Sequence, residues 1–228
     1  MPLATLRAFA TAASLAVTLS ACGIRSAMAP TPVISADDRL SMYASAWTFE
    51  YSPGMPLHPA SNTAGWQFAF PTSDGVHYLT TRQAPRSASQ FIGATIAVDT
   101  IGNPFFEFRT YPDNVCTKPA TVRLFFQRLG DTGSGTGEFE FYRWWSNAVE
   151  FELGPGSVTM IGDLTDPSQW TSVYGQSGAA NVQRYRMALA QLGAVGFTFG
   201  GGCFYGHGVY VAPDTGYATF RAREYGIR

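Results

Sequence analysis

The segment Val149-Glu150-Phe151-Glu152-Leu153-Gly154-Pro155-Gly156 reads as one half-buried β-strand with a hard stop. Apolar and acidic residues alternate with a period of two, which places Val149, Phe151 and Leu153 on one face and both glutamates on the other. Gly-Pro-Gly cannot continue the ladder and turns the chain. The same grammar recurs along the sequence. Trp66-Gln67-Phe68-Ala69-Phe70 alternates and ends at Pro71. Short β-prone runs follow at residues 77–81, 91–100, 105–111, 121–129 and 138–145, and again at 195–199, 208–212 and 217–223. One helix is expected from Ala180 to Leu192, where Val182, Tyr185, Leu189 and Leu192 recur at spacings of three and four and Gly193 stops the run. Many short strands with Gly/Pro turns and one short helix predict an all-β antiparallel sandwich.

Composition agrees. Only 14% of the 228 residues are charged, the formal net charge is −1, and 24 glycines, 17 phenylalanines and 11 tyrosines favour turns and strands. No basic stripe is present, so nucleic-acid binding has no electrostatic support. The sequence has no internal repeat and no second-domain boundary. The preferred arrangement is a jelly-roll-like β-sandwich occupying residues 42–228 as a single domain.

The N-terminus supplies an address. Arg7 precedes an uncharged apolar or small stretch, Ala8 to Leu19, which has the length of a signal-peptide core. It is too short to span a bilayer, which takes roughly 20 apolar residues. Leu19-Ser20-Ala21-Cys22 follows and resembles the lipobox of bacterial lipoproteins. That resemblance implies cleavage of residues 1–21 and acylation of Cys22, palmitate included. It makes residues 22–41 a tether and anchors the chain to a membrane of the cell envelope. Gly23 stands where enteric-type lipoproteins retained in the inner membrane carry Asp, which points to the outer membrane. A competing cut lies after Ala27-Met28-Ala29, although Pro30 would then follow the cleaved bond. In that case the protein is secreted or periplasmic and Cys22 is discarded.

If Cys22 carries lipid, Cys116 and Cys203 remain as an even pair in an oxidising compartment, and a disulfide between them is expected. The alternative is two unpaired buried thiols. No zinc-knuckle spacing occurs, and the three histidines are dispersed, so neither a metal nor another cofactor is expected.

Residues 166–220 loosely resemble the C-terminal halves of galactose-binding-like jelly rolls that serve as carbohydrate-binding modules. The resemblance rests on Asp166-Pro167, Trp170, the helix, Val195-Gly196-Phe197-Thr198-Phe199-Gly200-Gly201 and Tyr217-Ala218-Thr219-Phe220. It implies a glycan as ligand.

Two candidate surfaces follow. If 138–145 is a strand, Glu138, Glu140, Tyr142 and Trp144 share one face and Phe139, Phe141, Arg143 and Trp145 the other. Aromatic faces stack on sugar rings and carboxylates accept hydroxyl hydrogen bonds, so the first face suits a glycan. The competing reading is an ordinary solvated sheet face. On the Phe face, Arg143 must find a carboxylate or sit at the rim, because an unpaired buried charge is costly, unless a bulge near Tyr142 re-aims it. Tyr205 and His207, between glycines on an expected turn, form the second candidate. Gly130 to Gly137 is expected to be a flexible hairpin loop. Gly200-Gly201-Gly202 is expected to permit tight turning or close backbone packing beside Cys203.

No nucleophile elbow or papain-like context is present, so no catalytic residue is assigned. The expectation is a lipid-anchored, non-catalytic glycan binder. An envelope structural or assembly protein acting through protein contacts is the alternative. A glycan hydrolase is third; it needs two carboxylates on one cleft, with Glu107, Asp131, Glu138 and Glu140 as the first to inspect.

Overall fold

A computed structural model describes residues 34–83, 89–110, 115–203 and 208–228. Two antiparallel sheets pack face to face. The first contains β2 (Ala60–Asn62), β3 (Gly65–Ala69), β5 (Phe91–Gly102), β9 (Gly156–Asp163) and β13 (Gly216–Ile227), ordered β2-β3-β13-β5-β9. The second contains β1 (Thr48–Glu50), β4 (Tyr78–Thr81), β7 (Ala120–Arg128), β8 (Arg143–Glu152), β10 (Trp170–Ser172) and β11 (Leu192–Gly201), ordered β1-β4-β11-β7-β8-β10. A two-stranded ribbon pairs β6 (Phe106–Glu107) with β12 (Tyr210–Val211), and α1 spans Val182–Ala190.

The connectivity is that of a jelly roll. The pairs β3·β13, β4·β11, β5·β9 and β7·β8 are nested one inside the next, like a long hairpin wound upon itself. Successive arms of that hairpin fall in opposite sheets. Gly154-Pro155-Gly156 is a corner of this winding, carrying the chain from β8 into β9 across the sandwich.

Aromatic rings fill the space between the sheets. Phe220 stacks on Phe68 at 5.3 Å and meets Phe197 edge-on at 5.5 Å. Trp47 lies 5.1 Å from Trp66 and 5.0 Å from Tyr225. Each such pair contributes about 0.5–1.5 kcal/mol beyond its buried area. The buried Tyr225 hydroxyl donates to Gly196 O at 3.0 Å, which satisfies the only polar atom of that side chain. Helix α1 closes one end by inserting Tyr185, which packs edge-on against Trp144 (5.1 Å) and Phe126 (5.4 Å) and donates to Leu164 O.

Several local expectations change. The fold begins ahead of Met42. Ile34 lies over Gly93 and Gly226, where an added Cβ would come within 3.1 and 2.4 Å of its side chain. Leu40 N donates to Tyr225 O and Arg39 pairs with Glu224 at 2.9 Å, so residues 34–41 are docked rather than tether. Strand β9 was not anticipated. Along Gly156–Asp163 only Met160 and Gly162 are buried, which leaves no apolar period to read. Residues 137–141 form a 3-10 turn instead of strand, and β8 runs unbroken from Arg143 to Glu152. Among the described residues no helix is long and apolar enough to cross a membrane.

Candidate functional site

The expected face of Glu138, Glu140, Tyr142 and Trp144 does not form. The 3-10 turn sends Phe141 into the core beside Trp144, at 6.0 Å. Trp144 is 0% exposed, and its indole N–H donates to Phe141 O at 2.9 Å. It pairs across the ladder with Phe126, on the inner side of β7. Burial therefore removes Trp144 from any ligand surface. Glu138 is exposed, and Glu140 and Tyr142 are half-buried; Tyr142 donates to Glu138 at 3.3 Å and takes the Arg128 guanidinium on its ring at 4.3 Å. Tyr205, His207 and Cys22 lie outside the described residues.

Because Trp144 points inward, Arg143 and Trp145 point outward from the six-stranded sheet, beside Tyr78 and Phe125. All four are nonetheless buried. Arg143 finds the carboxylate it requires in Asp131, with Nε 2.7 Å from Oδ2 and side-chain exposures of 7% and 0%. Its Nη2 also donates to Gly133 O at 3.0 Å. Tyr51 donates to Thr132 O at 3.4 Å and packs on Tyr78 at 6.1 Å. Burial pushes the Tyr78 phenol up to about 12, so it is neutral at pH 7. The loop from Gly130 to Gly137 is thus strapped to the sheet by a buried ion pair, in contrast to the flexible loop expected. Asp131 is committed to that strap rather than to a cleft.

Cys116 and Cys203 form a disulfide with Cα atoms 5.6 Å apart. It ties the β5–β7 connection to the end of β11. Gly201 explains the glycines beside it. A Cβ there would fall 2.4 Å from the Phe108 ring, so only glycine lets that ring lie on the strand.

Next to the disulfide opens a groove of about 820 Å³, within the range of ligand sites. Its walls come from the segment Pro104–Phe108, the residues around Cys116 and Lys118, the end of β8 at Glu152 and Leu153, and Tyr210 of β12. Alternation sorts the first wall. Phe106 packs on Phe70 at 5.2 Å in the core, which turns Phe105 and Glu107 together to the other side. Phe105 O accepts from Ala212 N, so the ribbon pairing reaches it. Phe105 is 62% exposed, an unusual position for a large apolar ring held by the backbone. Glu107 and Tyr210 are directly opposite on the ribbon. The Tyr210 hydroxyl donates to the Glu107 carboxylate, which raises the phenol's pKa, with burial adding to the effect.

The groove offers an exposed ring, two carboxylates, a phenol and the Lys118 ammonium on one concave surface. Only Glu107 of these had been singled out. Glu152 and Tyr210 come from segments more than forty residues from Glu107, and no local spacing signals such convergence. Elsewhere, His77 is held neutral at pH 7, its pKa lowered to about 4 by burial and then by Arg109. Among the described residues no three His, Cys, Asp or Glu side chains are grouped closely enough to hold a metal ion. No known protein family, curated protein or solved structure matches this chain.

Proposed function

We propose that this chain is a lipid-anchored protein of the bacterial cell envelope whose jelly-roll domain binds a glycan in the groove beside the Cys116–Cys203 disulfide. The observation that carries this reading is the exposed Phe105 ring set beside Glu107 and Tyr210 in a groove of about 820 Å³. A sugar ring presents an apolar face to an aromatic and hydroxyls to carboxylate and phenol. Fold alone would not support the assignment, since jelly rolls host many functions.

Calorimetry of the full-length protein in detergent against a panel of oligosaccharides tests the groove. Phe105→Ala should weaken binding about tenfold or more, a loss of ~1.4 kcal/mol. Its melting temperature should stay near wild type, because the ring is 62% exposed. Equal affinity in the variant would place the ligand elsewhere. The anchor has a separate test: Cys22→Ser should abolish lipid labelling and leave the unprocessed precursor. Normal maturation of that variant would reject the lipobox assignment.

A hydrolase remains the second reading, because Glu107 and Glu152 line one groove. Release of reducing ends from a bound oligosaccharide, lost in Glu107→Gln and in Glu152→Gln, would select it over simple binding.

A further inference from the structure

We propose that the glycan seated in this groove is an amino-sugar polymer whose protonated amines are held by Glu107 and Glu152. The inference rests on the glycan reading above and narrows it to a substrate class.

The arginines next to both acids are engaged elsewhere. Glu150, two residues before Glu152 on the same strand face, is bound by Arg123. That guanidinium also donates to Gly202 O at 3.2 Å. Arg109, two residues after Glu107, pairs with Asp74. Among the described residues neither Glu107 nor Glu152 has a basic partner within 4.0 Å. Among the described residues, Lys118 is the one cation on the groove wall. It forms no ion pair among the described residues, and its stem packs over Gly202, where an added Cβ would come within 2.9 Å. The described lining therefore carries a formal excess of one negative charge.

Geometry fits a pyranose bearing an amine. The Tyr210 phenol supplies Glu107 with one donor, and an ionised carboxylate has about four acceptor positions. The others can take the N–H groups of an ammonium. Phe105 and Glu107 are two residues apart on one face, a separation of about 6.5–7 Å. A ring stacked on Phe105 can then reach Glu107 with a substituent, and Glu152 lines the same groove. A neutral glycan would leave the excess negative charge of the described lining uncompensated.

The test titrates full-length protein in detergent with glucosamine, N-acetylglucosamine and glucose oligomers of one linkage and length. A short oligolysine serves as a fourth probe. Mildly acidic buffer keeps the glucosamine amines protonated. The expected result is about tenfold tighter binding of the glucosamine oligomer than of the other two sugars. Added salt should narrow the difference. Glu152→Gln should reduce the preference to a few-fold without changing the melting temperature. Equal binding of all three sugars would overturn this inference and leave the groove reading intact. Absence of binding to every sugar would overturn both. Oligolysine binding as tightly as glucosamine would show that the groove selects charge and not sugar, and would also overturn it.

Discussion

Replacement of Asp131 by alanine is expected to cost about 3–5 kcal/mol of stability. Among the described residues, the change removes the only carboxylate paired with a guanidinium whose side chain is 7% exposed. Arg143 cannot escape to water, because Gly133 O and the Tyr78 ring, 5.7 Å from its Cζ, hold it under the loop. An unpaired buried charge carries its full desolvation cost. For a domain of this size the loss corresponds to a drop in melting temperature of about 6–20 °C. The pair itself need not be stabilising. The double variant Asp131→Asn with Arg143→Met should recover most of the loss, since apolar or neutral replacements of buried pairs are often near neutral. Thermal and urea unfolding of the two variants check this together. A single variant that melts within a few degrees of wild type would mean that the loop releases Arg143 to solvent.

The second large effect lies at the opposite end of the sandwich. Cys116 and Cys203 are 87 residues apart in sequence. In the chain-entropy description, cross-linking a loop of that length removes about 4–5 kcal/mol worth of freedom from the unfolded chain. Cys116→Ser with Cys203→Ser should therefore unfold at markedly lower denaturant, and wild type under reducing conditions should match it. The two lesions are at different ends of the domain and should add. Since Cys116 lines the groove, the double serine variant should also bind glycan more weakly even where it remains folded. A stability change below ~1 kcal/mol would show that the reduced chain retains the loop closure by other contacts.

The strands were legible from alternation in β3 and at the end of β8, and from β-prone runs in β5, β7 and β11, where burial on both faces blurs the period. The single helix was legible from its three-four spacing, although α1 is shorter than expected. The cysteine pair was expected from the count and from the oxidising compartment that the lipobox resemblance implies. What failed at residues 138–145 was the choice of face. Trp144 and Trp145 are both large and apolar, so neither marks the core side. Arg143 did carry the signal. A guanidinium belongs on the outward face, and Trp145 had to follow it there while Trp144 turned in. The groove was illegible for a different reason. Glu152 and Tyr210 join Phe105 and Glu107 only when the hairpin winds, and no periodicity within a segment encodes that.

Strand β5 also acts as a ruler. Ile34 docks at its Gly93 end, and the groove opens beyond its Gly102 end. Nine residue steps at about 3.4 Å each separate those ends by roughly 30 Å. If Cys22 bears lipid, at most about 40 Å of extended chain links it to Ile34. The point of attachment and the ligand groove then occupy opposite poles of the domain. A ligand in the groove would then sit roughly 30 Å from the place where the chain enters the domain.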